Sequence, residues 1–305
     1  MSMLTTRMIT LGSRPSKLAR WQTEHILDQL KTAWPDLSCR IVTLVTEGDK
    51  NLSQALPEIG GKGVFTAELE AALLSGEIDL AVHSLKDLPV EYSSGLSIGA
   101  VGLRADARDV LIAKNDQNLA SLPMGARVGT SSLRRQAQLK AARPDLTILP
   151  LRGNVDTRIR KALEGDYDAI ILAAAGVERL DLENYITEYL PLEVMLPAPG
   201  QGALAVQCRA NDNEVLKLLE AVHDLATYQA VTAERAFLSA LGAGCSAPVA
   251  AYASIEDRRL EMNGLVASTD GQQVVRVYAS GEDALALGER LAQQALQQGA
   301  GELLK

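Results

Sequence analysis

Two short segments combine small hydroxyl residues with arginines where an apolar stretch gives way to a helical one. GTSSLRRQ (129–136) sets Gly129, Thr130, Ser131 and Ser132 at that junction, with Arg134 and Arg135 in the first helical turn. Free backbone N–H groups, hydroxyls and the positive end of the helix together make an anion site. LRGNVDTR (151–158) repeats the arrangement, with Arg152 at a strand end and Arg158 one turn into the next helix. The planar guanidinium fork suits paired binding to carboxylate or phosphate. Residues 127–161 hold nine basic residues against only Asp145 and Asp156, inside a chain whose net charge is -8. A basic island in an acidic chain points to a specific anionic ligand. Arg143, Arg160 and Lys161 read as ordinary surface charges; Arg134, Arg135, Arg152 and Arg158 read as the anion site.

HSLKDLP (83–89) ends a strand, where ligand-facing residues of open α/β sheets gather, and Pro89 halts any helix. Asp87 there could stabilise a cation or move a proton. Spacing alone favours, by a narrow margin, a turn-forming Asp in a charged loop. Cys245 sits in GAGCSAP (242–248), where small residues and Pro248 disfavour a regular element. It reads equally as a reachable nucleophile or attachment point and as a structural thiol. Cys39 and Cys208 lie in apolar strands and read as small core residues. His25, His83 and His223 are dispersed and suggest neither a metal site nor a Cys–His couple, and His83 is expected to stabilise the loop that it begins. TEGDKNLSQALPEIGGKG (46–63) is long, polar and glycine-rich, as lids often are. It is not a Walker loop, because GGKG lacks the four-residue spacer and the hydroxyl after Lys.

The elements that must position these residues alternate strand and helix. Strands are expected at 7–13, 40–46, 78–84, 109–114, 126–130, 146–151, 168–173 and 203–209. Helices are expected at 15–34, 64–77, 132–143 and 155–165, with Ser13 a candidate cap and Pro15 in the first turn of the first helix. Such alternation implies mostly parallel sheets with packed helices. PAPGQGA (197–203) reads as a hinge or crossing segment. A helix from Thr227 to about Leu241 leads into three strand candidates and a closing helix at 283–298, the pattern of a small α+β unit.

Composition narrows the function classes. Aromatics are only 4%, too few for the stacking platforms of a single-strand nucleic-acid binder, and the acidity disfavours any nucleic-acid partner. Three widely spaced cysteines form no disulfide framework and no CxxC metal pattern. The longest apolar run, AIILAAAGV (169–177), is far short of a membrane span, and MSMLTTRMITLGSR holds no apolar signal core. A cytoplasmic protein with no metal, no membrane and no nucleic-acid partner is expected.

GSRPSKLA (12–19), GGKGVFTAELE (60–70), AVHSLKDLP (81–89), GTSSLRRQ, LRGNVDTR, LPAPGQGAL (196–204), TAERAFL (232–238) and GAGCSAP occur in the order and spacing of one family. Together they make the chain resemble the porphobilinogen deaminases, also called hydroxymethylbilane synthases, over nearly its whole length. The resemblance implies an α/β fold in three domains. Two are periplasmic-binding-protein type II-like lobes, at 1–103 with 203–222 and at 104–202; the third, 223–305, is a small α+β domain with a three-stranded antiparallel sheet.

It also implies a transferase that condenses four porphobilinogen molecules head to tail into hydroxymethylbilane, releasing ammonia, in tetrapyrrole biosynthesis. The growing chain is primed by a dipyrromethane cofactor held through a thioether, by motif match on Cys245. Ser84, Lys86, Thr130, Ser131, Ser132, Arg134, Arg135 and Arg158 would then bind that cofactor. Arg14, Ser16, Gln22, Lys62, Phe65 and Arg152 would bind substrate, and Asp87 would be catalytic, stabilising positive charge on pyrrole nitrogens. A monomer is the expectation. Glu58 stands where many members have Lys. The alternative is a non-enzymatic two-lobed binder of small anions, or an inactive relative of the same fold. GAGCSAP, Asp87 and the density of arginines argue against it, since a simple binder needs neither a tethering thiol nor a carboxylate facing its ligand.

Overall fold

The structure, a computed structural model, describes residues 7–50, 66–90, 93–244 and 247–304; Glu58, Lys62, Phe65 and Cys245 lie outside the described residues. The first stretch runs β1 (Ile9–Ser13), α1 (Lys17–Ala33), β2 (Cys39–Thr43), α2 (Glu47–Lys50), α3 (Ala67–Ser75), β3 (Leu80–Ser84) and β4 (Leu96–Val101). Next come β5 (Asp109–Ala113), β6 (Arg127–Gly129), α4 (Leu133–Ala142), β7 (Thr147–Leu149), α5 (Val155–Glu164), β8 (Ala169–Ala173), α6 (Ala174–Glu178), β9 (Glu188–Tyr189) and β10 (Leu204–Arg209). The last stretch runs α7 (Asn213–Leu219), α8 (Leu225–Ala240), β11 (Val249–Glu256), β12 (Arg259–Ala267), β13 (Val274–Gly281), α9 (Ala284–Gln297) and α10 (Ala300–Leu303). Among the described residues no helix is long and apolar enough to cross a membrane.

The chain divides into two compact units, Met1–Arg104 with Ala203–Tyr228, and Ala105–Gly202 with Gln229–Lys305. The first unit is built on a five-stranded sheet of order β2-β1-β3-β10-β4. β1 runs parallel to β2 and β3, whereas β10 runs antiparallel to both β3 and β4. Ile26 and Leu30 of α1, with Leu218 and Leu219 of α7, cover Ile9, Leu11, Leu80 and Val82. Leu69 and Leu73 of α3 pack with Ile78, Ala81 and Leu96 in a separate cluster. Helices on both faces explain why LAVHS reads as an apolar run rather than an alternating one. A Cβ on Gly12 would come within 2.5 Å of Ile78 and 2.9 Å of Leu69, so β1 needs glycine there to pass beneath α3.

The second unit carries a sheet of order β7-β6-β8-β5-β9, the same pattern of strand neighbours. β6 is parallel to β7 and β8, and β5 is antiparallel to β8 and β9. In each sheet the strand that follows a crossing of the chain between units, β10 or β5, is the antiparallel member. Leu111, Val128, Leu139 and Ile171 form one core and Val110, Ile112, Ile159 and Ile170 another. This unit also holds the antiparallel sheet β11-β12-β13. β11 and β12 meet in a two-residue turn, Asp257–Arg258, with both φ values positive, at 47° and 65°. That is the primed hairpin geometry whose twist matches the strands it joins.

The expected strands and helices are present with ends shifted by a few residues. Ser16 rather than Ser13 caps α1, accepting from Ala19 N at 3.2 Å, so Pro15 precedes the cap instead of sitting inside the first turn. β4, β9, α6, α7 and α10 have no counterpart among the expected elements. The β4 segment, LSIGAV, carries a glycine that weakens its strand signal, yet it completes the sheet by pairing with β10 over a bulge at Val206/Gln207.

Candidate functional site

In the first unit the candidate residues gather at one sheet edge because β1 and β3 are parallel neighbours, so their C-terminal ends coincide. β3 ends at Ser84, whose Oγ accepts a 2.9 Å hydrogen bond from Gln22 Nε2 on α1. A 3₁₀ turn, Leu85–Asp87, follows. Leu85 and Leu88 are buried and Leu85 N donates to Ala203 O at 3.0 Å, which anchors the turn. The two residues between them point the other way: Lys86 is half-buried and Asp87 exposed. The Asp87 carboxylate has no hydrogen bond or ion pair among the described residues. Hydrophobic anchors on either side thus present an exposed carboxylate at a strand end.

Arg14 lies just past β1 at the same edge. Its Nε and NH2 donate to Asp49 Oδ2 and Oδ1 at 3.2 and 2.6 Å. Burial alone would raise the Asp49 carboxyl, but Arg14 and the Thr46 hydroxyl and amide outweigh it and hold the group below its ordinary value. The substrate-facing arginine expected from the sequence therefore carries a resident carboxylate. Ser16 and Gln22, two further expected ligand contacts, are the α1 cap and the Ser84 partner.

His83, the residue before Ser84, is buried within β3 rather than starting a loop. Burial pushes its imidazole down to about 4, Gln207 offsets part of that, and the Arg14 charge adds to it. It is neutral at pH 7 and contributes no cation to the edge.

In the second unit β6 and β7 are parallel, with Gly129 opposite Leu149, so the segments after them share an edge. The hydroxyls there bind backbone. Thr130 Oγ1 accepts from Ser132 N at 3.2 Å, and Ser132 caps α4 by accepting from Arg135 N. Ser131 Oγ donates to Leu151 O at 2.9 Å and accepts from Leu151 N at 3.0 Å, which locks the two segments together. Arg158 Nε donates to Gly153 O at 2.7 Å, in a turn where Gly153 has φ +115°. Arg152 and Arg158 are half-buried on this edge. Arg143 closes on Asp145 and Arg160 on Glu164.

Arg134 and Arg135 are buried, and both guanidiniums bind Asp109, the first residue of β5. Asp109 is fully buried. Burial by itself would raise its carboxyl; the two guanidiniums overwhelm that and keep it far below the ordinary range. Burial also lowers Arg134, with Asp109 opposing. Two cations against one anion leave a single surplus positive charge in this cluster. Asp109 and Asp49 went unnoticed in the sequence, because a lone acidic residue in a charged connector carries no local sign of a partner 25 or 35 residues away.

The residues present suit a ligand rich in carboxylates. The first unit's edge offers half-buried Lys86 and the Asp87 carboxylate, which has no hydrogen bond or ion pair among the described residues, and the second unit's edge offers half-buried Arg152 and Arg158 and a surplus charge beside the capped end of α4. Two mixed sheets of the same strand order, each with such an edge, and a smaller antiparallel sheet define an α/β protein. The family model described as "Porphobilinogen deaminase, dipyromethane cofactor binding domain" matches residues 9–217, and "Porphobilinogen deaminase, C-terminal domain" matches 228–297. The chain belongs to the porphobilinogen deaminase family. It is 52% identical over 299 residues to the porphobilinogen deaminase of Moorella thermoacetica, covering 97% of this chain and 96% of that one. It is 50% identical over 295 residues to that of Brevibacillus brevis, covering 96% of each. Among solved structures, the periplasmic VFT2 domain of Bordetella pertussis BvgS is similar with a TM-score of 0.43 at 16% identity, covering 70% of this chain and 86% of that chain.

Proposed function

We propose that this protein is a porphobilinogen deaminase. It condenses four porphobilinogen molecules and one water into the linear tetrapyrrole hydroxymethylbilane with loss of four ammonias, as a transferase of tetrapyrrole biosynthesis. The observation that carries the reading is the match of both family domains, in order, along 9–217 and 228–297. In each condensation the C–N bond of an aminomethyl group breaks and ammonia leaves. A C–C bond forms to the free α-carbon of the preceding pyrrole, and that carbon loses its proton.

A dipyrromethane tethered through the Cys245 sulfur supplies, when bound, the first free α-carbon. Arg134, Arg135, Arg158 and Lys86, with the hydroxyls of Ser84, Thr130, Ser131 and Ser132, would hold its acetate and propionate groups. Arg14, Arg152, Ser16, Gln22, Lys62 and Phe65 receive the incoming substrate. Paired cations keep such carboxylates ionised as water is displaced. Asp87, exposed and without a hydrogen bond or ion pair among the described residues, sets its negative charge against pyrrole nitrogens as they become positive, and takes part in proton transfer. The reading includes three domains, 1–103 with 203–222, 104–202 and 223–305, in a cytoplasmic monomer that needs no metal.

Intact-mass measurement with peptide mapping tests the proposal. The expected result is an increment of two porphobilinogen units less two ammonias, located on Cys245, and ammonia release when porphobilinogen is added. A chain that stays unmodified after incubation with porphobilinogen and releases no ammonia would instead be a binding protein or an inactive relative.

A further inference from the structure

We propose that Asp109 is a positioning residue: its carboxylate fixes the Arg134 and Arg135 guanidiniums in one preset arrangement and leaves a single surplus positive charge for a ligand carboxylate. The inference rests on the deaminase reading above.

The geometry is specific. Arg134 NH1 donates to Asp109 Oδ2 at 2.7 Å, and Arg135 NH2 and Nε donate to Oδ1 at 2.7 and 3.2 Å. The same two side chains are also tied to backbone. Arg134 NH1 donates to Leu196 O at 2.7 Å and Arg135 NH1 to Ile171 O at 3.0 Å. Neither guanidinium has to reorganise when an anion arrives, and donors oriented in advance bind an anion without that cost. Without Asp109 two buried like charges would repel, and each would take a rotamer set by that repulsion.

A fourth hydrogen bond to the Asp109 carboxylate extends the arrangement. Gln201 Nε2 donates to Asp109 Oδ1 at 2.9 Å and to Ala107 O at 2.7 Å. Gln201 lies between Gly200 and Gly202, both at positive φ, in the segment that precedes the second crossing. The position of the arginines is thereby linked to that segment.

The test uses the full chain with Asp109→Asn and, separately, Gln201→Ala. Asn keeps the size of Asp109 but removes its charge and turns an N–H toward groups that can only donate. Each purified variant is incubated with porphobilinogen, and the share of folded protein carrying the Cys245 adduct is read by intact mass beside the melting temperature. We expect Asp109→Asn to form adduct at least about 10-fold less than the parent, since a charge-assisted network is lost. Gln201→Ala, which loses one neutral side chain, should form it about threefold more slowly. Lower melting temperatures with an unchanged adduct share per folded molecule would mean a purely structural ion pair and would overturn the proposal. If Asp109→Asn does not fold, Gln201→Ala decides, and an unchanged rate there overturns it. A parent chain that forms no adduct and releases no ammonia sinks the deaminase reading and this inference together; an active parent with unaltered variants sinks this inference alone.

Discussion

Arg14 meets Asp49 through a two-pronged ion pair, with Nε and NH2 at 3.2 and 2.6 Å from the two carboxylate oxygens. Like the Asp109 cluster, this pair gives an expected ligand arginine a carboxylate from the protein itself. The resident acid keeps the guanidinium in place before substrate is present. A single ammonium cannot reproduce the two parallel bonds. Arg14→Lys should therefore raise the KM for porphobilinogen at least about tenfold while costing at most about 1 kcal/mol of stability, because the pair is partly exposed. Steady-state ammonia release and urea titration check both halves. An unchanged KM would remove Arg14 from the substrate contacts.

Asp87 is exposed and has no hydrogen bond or ion pair among the described residues, so little stability depends on it. Asp87→Asn should lower kcat by about 100-fold or more, the scale of losing one electrostatic stabiliser, and shift stability by no more than about 0.5 kcal/mol. Rapid-quench turnover and thermal melts measure the two effects. Near-normal turnover would defeat the catalytic assignment.

His83 makes the fold acid-sensitive in a defined window. Its imidazole is pushed down to about 4 when folded, against an ordinary value near 6.5. Between those values the unfolded chain binds more protons than the folded one, so stability is full above the upper value and is lost as pH falls through the window. The loss reaches about 3 kcal/mol by pH 4. Asp49 and Asp109, held below their ordinary values, lose their contributions only at lower pH, so the upper window belongs to His83. His83→Gln should flatten denaturation free energy between about pH 6.5 and pH 4. A slope equal to the parent's would show that another group titrates there.

Much of this protein was legible in its sequence. Apolar runs such as IDLAVHS and DAIILA mark strands buried on two faces, and the hydroxyl and arginine residues after Gly129 mark a strand-to-helix junction. Those signals are local: they depend on periodicity, capping and residue type within about one element. The motifs in their order carried the family resemblance, and with it the candidate residues.

Tertiary structure decided what those residues touch. Nothing near Asp109 in the sequence distinguishes it from Asp106, yet Asp109 is fully buried beneath two guanidiniums while Asp106 pairs locally with Arg108. The Ser16 and Ser132 hydroxyls cap helices, and His83, which looked like a loop residue, is core. A long-range ion pair joins residues that only the sheet topology brings together, and burial decides whether a charge is solvated or must find a partner. Neither has a local sequence signature, because both are properties of packing.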